Sequence, residues 1–147
     1  MKKLIILPLI FLLSSCVGID RNSFDGLFSE VTGVLPNTDN DTHYFIVIPG
    51  QGCSGCLQKA GEFMMKHHNK DSYTFIMTKF DSVKGLKLRF GKEPIEQAVI
   101  DKQNVFYNGG FNSMYPAIVA YSDNEFSINL ADPYNFELWD EIGAVVN

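Results

Sequence analysis

Tyr44-Phe45-Ile46-Val47-Ile48-Pro49-Gly50-Gln51-Gly52-Cys53-Ser54-Gly55-Cys56 is the stretch that decides how this chain folds. Five consecutive apolar residues suit a strand buried on both faces of a sheet. Pro49 to Gly52 then break the strand. Beyond the cysteines, Leu57, Ala60 and Met64 recur at helical spacing, with Asn69 as a stop after Lys66-His67-His68. A central strand therefore hands two cysteines to the start of a helix, where unpaired backbone N–H groups and the positive end of the helix dipole favour a thiolate. Cys53 is the outer, attacking group. Cys56, one turn later, can reach a mixed disulfide formed on Cys53.

Outward from that stretch, Tyr73-Thr74-Phe75-Ile76-Met77-Thr78 reads as a second strand, parallel to the first because a helix lies between them. Residues 81–110 are harder to place. Asp81-Ser82 suits the cap of a short helix carrying Val83, Leu86 and Phe90, and Gln97 to Ile100 suits another strand. Ala117 to Tyr121 and the alternating Phe126, Ile128 and Leu130 predict a hairpin turned at Ser122-Asp123-Asn124, its second arm at the sheet edge. Asp132-Pro133 signals a last helix with Phe136, Trp139, Ile142 and Val146 inward and Glu137, Asp140 and Glu141 outward. Before the first strand, residues 16–42 read mainly as a tether. Phe24, Leu27, Phe28 and Val31 nevertheless keep helical spacing and predict a short amphipathic helix at the domain's edge, although Gly26 interrupts it.

The N-terminus carries Met1-Lys2-Lys3, an apolar run from Leu4 to Leu13, and Ser14-Ser15-Cys16. This is the pattern of a secretory signal over residues 1–15. Ten helical residues span only about 15 Å, half of a bilayer's hydrocarbon core, so a permanent membrane span is the poorer reading. Leu13-Ser14-Ser15-Cys16 also resembles the lipobox of bacterial lipoproteins. That resemblance implies cleavage before Cys16, lipid on its sulfur, and a domain held on a membrane in the oxidising cell envelope, periplasmic or surface-displayed. It also accounts for the odd cysteine among three. Without residues 1–15 the chain has 10 basic and 17 acidic side chains, a formal charge of −7. Nucleic acid is excluded as a partner class by that balance.

Taken together, strand–helix–strand, an insert, then strand–strand–helix, with C-x-x-C at the first strand-to-helix junction and Tyr115-Pro116 opening the hairpin, resembles the thioredoxin superfamily over residues 43–147. The insert resembles that of the membrane-tethered extracytoplasmic branch. The resemblance implies an α/β fold with a central mixed sheet flanked by helices, and a thiol–disulfide oxidoreductase with no cofactor. Its catalytic pair is Cys53 and Cys56. Tyr115 and a cis Pro116 would lie beside the sulfurs to hold an extended substrate. Partners would be protein thiols and disulfides, an upstream redox protein, and the membrane through lipid on Cys16.

Two positions depart from the family. Gly52 stands where many members have tryptophan, and Val47 where many have a buried acid that takes the proton of the second thiol. Either another group, such as Glu62 or a histidine, takes that proton, or turnover is slow. Four other readings of the residues stay open. The cysteine pair can be a static staple in a binding or assembly module, although so short a loop gains little entropy from closure. His43, His67 and His68 offer a metal site with the cysteines, but adjacent histidines on a helix diverge by about 100°. Phe106-Tyr107-Asn108-Gly109-Gly110-Phe111 suits either a docking groove or a loop packed on the core. The loose basic patch of Lys84, Lys87, Arg89 and Lys92 suits either anionic headgroups or solvent.

Overall fold

Residues 18–37 and 41–145 are described by the structure, a computed structural model. The elements run α1 (Arg21–Thr32), β1 (His43–Pro49), α2 (Ser54–His67), β2 (Tyr73–Thr78), α3 (Val83–Phe90) and α4 (Lys92–Gln97). There follow β3 (Val99–Ile100), α5 (Val105–Asn108), β4 (Ala117–Tyr121), β5 (Phe126–Leu130) and α6 (Glu137–Ala144). The five strands form one mixed sheet in the order β3-β2-β1-β4-β5, flanked by helices. As the continuous apolar run predicts, β1 is the central strand, parallel to β2 and antiparallel to β4.

Strand alternation divides the core between two faces. Ile46, Ile48, Phe75, Met77 and Ile118 point toward α2, where Leu57, Ala60 and Met64 meet them and Leu86, Phe90, Ile95, Trp139 and Ile142 complete the cluster. Phe45, Val47, Ile76, Val119 and Tyr121 point the other way, toward Phe24, Phe28, Phe106 and Phe111. The Ser82 hydroxyl caps α3 by accepting from Gly85 N at 3.0 Å. Val99 and Ile100 extend the sheet beyond β2.

The tether reading of residues 16–42 fails from Arg21 onward. Asp20 caps α1 by accepting from Ser23 N at 2.8 Å, and Gly33 ends it in the left-handed region at φ 78°. Gly26 sits on the exposed side and costs the helix about 1 kcal/mol. Burying Phe24 (0% exposed) and Phe28 returns about 1.5–3 kcal/mol each, so packing outweighs propensity. Arg21 Nη1 donates to the carbonyls of Ser122 (2.9 Å) and Asp123 (3.2 Å), with its guanidinium 4.3 Å from the Tyr121 ring centre. The Tyr121 hydroxyl donates to Asp25 at 2.7 Å. The folded unit thus begins before Arg21, not at His43. Cys16 and the signal segment lie outside the described residues.

The last helix also starts later than Asp132-Pro133 suggests. Asp132 Oδ1 accepts from Tyr134 N at 2.8 Å and the Asp132 carbonyl from Asn135 N, a turn that occupies these residues before α6 begins at Glu137. Trp139 and Ile142 face inward and Glu137, Asp140 and Glu141 outward, as the spacing predicts. Val146 lies outside the described residues.

Candidate active site

At the end of β1, the sheet's hydrogen bonding continues one residue further, with Gly50 N donating to Thr78 O at 2.8 Å. Arg89 Nη1 reaches the Gly50 carbonyl at 3.2 Å, and Gln51 Nε2 donates to Asp81 at 2.9 Å. These bonds fix the loop that delivers the cysteines. Cys53 is the N-cap of α2: its Sγ accepts from Cys56 N at 3.3 Å and its carbonyl from Leu57 N at 2.9 Å. Cys53 and Cys56 form a disulfide with their Cα atoms 5.3 Å apart. Cys56 is wholly buried (0% exposed), whereas Cys53 is only partly covered.

The segment before β4 crosses directly over this pair. Cys53 N donates to the Met114 carbonyl at 3.1 Å. A Cβ on Gly52 would collide with that same carbonyl group, so glycine at this position is a requirement of backbone approach. This accounts for the missing tryptophan. It also moves the backbone contact one residue from its expected place, since Met114, not Tyr115, bonds to Cys53. No cis peptide bond occurs among the described residues, so the Tyr115–Pro116 bond is trans, contrary to the expectation for Pro116. Tyr115 N is turned to Ser113 Oγ at 3.0 Å, and buried Pro116 offers its carbonyl to Ala131 N at 2.8 Å. The Met114 side chain is 56% exposed beside the cysteines. Nothing in the sequence marks Met114 except the bare glycine opposite it.

No family model, curated protein or solved structure matches this chain.

Val47 faces the α1 side and lines a small cavity of about 90 Å³ with Pro49, Phe111, Ser113 and Tyr115. The proposed substitutes for a buried acid lie elsewhere. Glu62 is exposed, accepting from Gln58 Nε2 at 3.1 Å and pairing with Lys59 at 4.0 Å; six residues along α2 place it about 9 Å from Cys56. The three histidines are dispersed. His43 Nε2 is 2.8 Å from Thr74 Oγ1 at the other end of β1, His67 packs between Phe63 and Tyr73, and His68 lies 3.8 Å from Glu93. Among the described residues no group of three His, Cys, Asp or Glu side chains could hold a metal ion.

The remaining sequence candidates resolve into structure. Phe106 and Phe111 are core residues, so that stretch packs inward. The basic patch is partly neutralised, with Lys87 2.8 Å and Lys92 4.0 Å from Glu96. A buried acid escaped the sequence reading: Asp101, just past β3, accepts from Thr78 Oγ1 (2.8 Å), Val105 N (2.8 Å) and Phe106 N (2.9 Å). Three donors make it a structural clamp for α5.

Proposed function

We propose that the chain is a thioredoxin-like thiol–disulfide exchange domain, exported and lipid-anchored at Cys16, acting on protein thiols and disulfides in the cell envelope. One observation carries this reading: a disulfide-forming pair sits at the N-terminus of a 14-residue helix, with its first sulfur partly open and its second buried. In the reduced protein the Cys53 thiolate is favoured by the Cys56 N–H and the helix dipole. It attacks a substrate disulfide; one substrate sulfur bonds to Cys53, and the other leaves as thiolate and takes a proton. Cys56, deprotonated, then attacks Cys53 Sγ. The Cys53–Cys56 bond forms, the mixed disulfide breaks, and the second substrate sulfur leaves. Two electrons pass to the substrate, and an upstream redox protein returns them to the pair. Run in reverse, the same steps oxidise a dithiol.

The start of α1 gives the proposed anchor a short lead. Val17 to Asp20 separate Cys16 from the helix, about 13 Å when extended. No helix among the described residues is long and apolar enough to cross a membrane.

A second reading, a binding or assembly module stapled by the same disulfide, draws on Val47 and on the distance of Glu62 from Cys56. The reduction potential separates the two. Equilibration in glutathione or dithiothreitol buffers with free thiols counted by mass should give a reversible transition between about −120 and −270 mV. Resistance beyond about −300 mV would make the pair a staple. Cys56→Ser should also trap partners on Cys53 as mixed disulfides, a capture that Cys53→Ser abolishes.

A further inference from the structure

The sheet ends in two edges, β3 and β5, and only one is long enough to pair again. β3 offers Val99 and Ile100 alone, whereas β5 runs for five residues, Phe126–Leu130. Exposed edges are kept from pairing by charge, proline or a bulge. β5 has none of these: it reads Phe126-Ser127-Ile128-Asn129-Leu130, and its register with β4 is one-to-one throughout. On the β4 side, Ser122 N donates to the Glu125 carbonyl at 2.9 Å and Ala131 N to the Pro116 carbonyl at 2.8 Å. Antiparallel bonding alternates along a strand, so Glu125, Ser127, Asn129 and Ala131 turn their peptide groups toward β4. Phe126, Ile128 and Leu130 turn theirs outward. The Leu130 carbonyl accepts from Asn135 Nδ2 at 2.6 Å. The other outward N–H and C=O groups have no partner among the described residues.

The same strand fits itself. The Phe126, Ile128 and Leu130 side chains pack on the α1-side cluster but stay partly exposed, so each has apolar surface left to bury. Laid antiparallel against a second copy with all five residues paired, Phe126 meets Leu130, Ile128 meets Ile128 and Ser127 meets Asn129. In that register every outward peptide group faces another outward peptide group. The flanking acids avoid one another, with Asp123 opposite Pro133, Glu125 opposite Ala131 and Asp132 opposite Asn124. We propose that β5 binds β5 of a second copy of this chain, merging the two five-stranded sheets into one. The two-fold axis stands normal to the sheet, between the two Ile128 residues. It keeps both α1 helices on one face, so the apolar cluster runs on across the seam. In each copy β4 separates β1 from the seam strand, which leaves the cysteine pairs open and at opposite ends of the joined sheet. The pairing is independent of their chemistry.

A single strand pair is a small interface, so the dimer is expected in the micromolar range. The whole oxidised chain, with any free thiol alkylated, is followed by sedimentation equilibrium from about 1 μM to 1 mM, and amide hydrogen exchange is read by nuclear magnetic resonance across the same range. A monomer–dimer equilibrium should appear. The amides of Phe126, Ile128 and Leu130 should exchange several-fold more slowly at the high concentration, while those of Ser127 and Asn129, bonded to β4 in both states, stay unchanged. Ile128→Lys should weaken association about tenfold or more. Ile128→Pro should do the same, because the lost N–H points outward and the sheet within one copy keeps its bonds. Circular dichroism checks that each variant is folded; if neither folds, the alternating exchange pattern of the parent decides alone. The proposal is overturned by a dimer whose Phe126, Ile128 and Leu130 amides exchange unchanged, or by association that both folded variants leave intact. A chain that stays monomeric throughout also overturns it and leaves the edge to a different polypeptide.

Discussion

The two faces of the sheet are made differently. On the α1 side, Phe24, Phe28, Phe45, Phe106, Phe111, Tyr121 and Phe126 interlock, and the polar groups that enter are answered: Tyr121 by Asp25, Asp101 by three donors. On the α2 side, one helix carries the cysteine pair at its start and an unsatisfied histidine near its end, opposite an unsatisfied tryptophan. One face is closed by its own residues. The other leaves reactive and unpartnered groups, and that is where chemistry is to be sought.

The largest expected effect tests the closed face. Phe24→Ala should lower stability by about 3–5 kcal/mol in urea unfolding while leaving the Cys53–Cys56 potential unchanged. A loss below about 1 kcal/mol would restore α1 to the tether and dissolve the contrast. Gly52→Ala comes next. Its methyl must push against the Met114 backbone, so a loss of about 1–3 kcal/mol should appear together with a shifted potential, because the displaced carbonyl is bonded to Cys53 N. Stability lost with the potential unmoved would separate Met114 from the redox site.

Trp139→Phe should be milder, within about 1.5 kcal/mol, since the apolar ring is largely kept and the deleted N–H has no partner among the described residues. A larger loss in thermal unfolding would reveal a bond to that N–H. The smallest effect concerns pH. Burial holds His43 and His67 below the ordinary histidine value of about 6.5, so the unfolded chain takes up protons first as pH falls. Stability from both groups is present above about pH 6.5 and is lost as pH falls toward their folded values. Parallel unfolding curves of the parent and His67→Gln at pH 7.5 and 5.5 should show a shallower pH slope in the variant.

What the sequence disclosed follows the same division. Tyr44 to Ile48, Leu57 with Ala60 and Met64, and the hairpin arms carry strong local periodicity, and the central strand, its following helix, the parallel pair and the hairpin at the sheet edge were legible from them. A short helix carrying Phe24, Leu27, Phe28 and Val31 was legible too, but not its place in the core, because the rings that bury Phe24, namely Phe45, Phe106, Tyr121 and Phe126, all come from other elements. Asp132-Pro133 misled in the opposite sense, since a carboxylate that can cap a helix can equally close a turn. At the site, Cys53 and Cys56 announce themselves by spacing. Met114 and Asp101 do not, because one contributes a backbone carbonyl and the other is recruited by elements distant in sequence.

The bond between Arg21 and Ser122 spans 101 positions, and that between Asp25 and Tyr121 spans 96. The first helix emerges from synthesis long before the hairpin that receives it. β1, α2 and β2 can assemble among neighbours in the chain, and β1 brings Phe45 to both Phe24 and Phe28, but the rest of the cover over Phe24, Phe106, Tyr121 and Phe126, comes only with the last third. During that interval the nascent protein carries a greasy stripe near its leading end, a surface suited to a holding chaperone and hazardous without one.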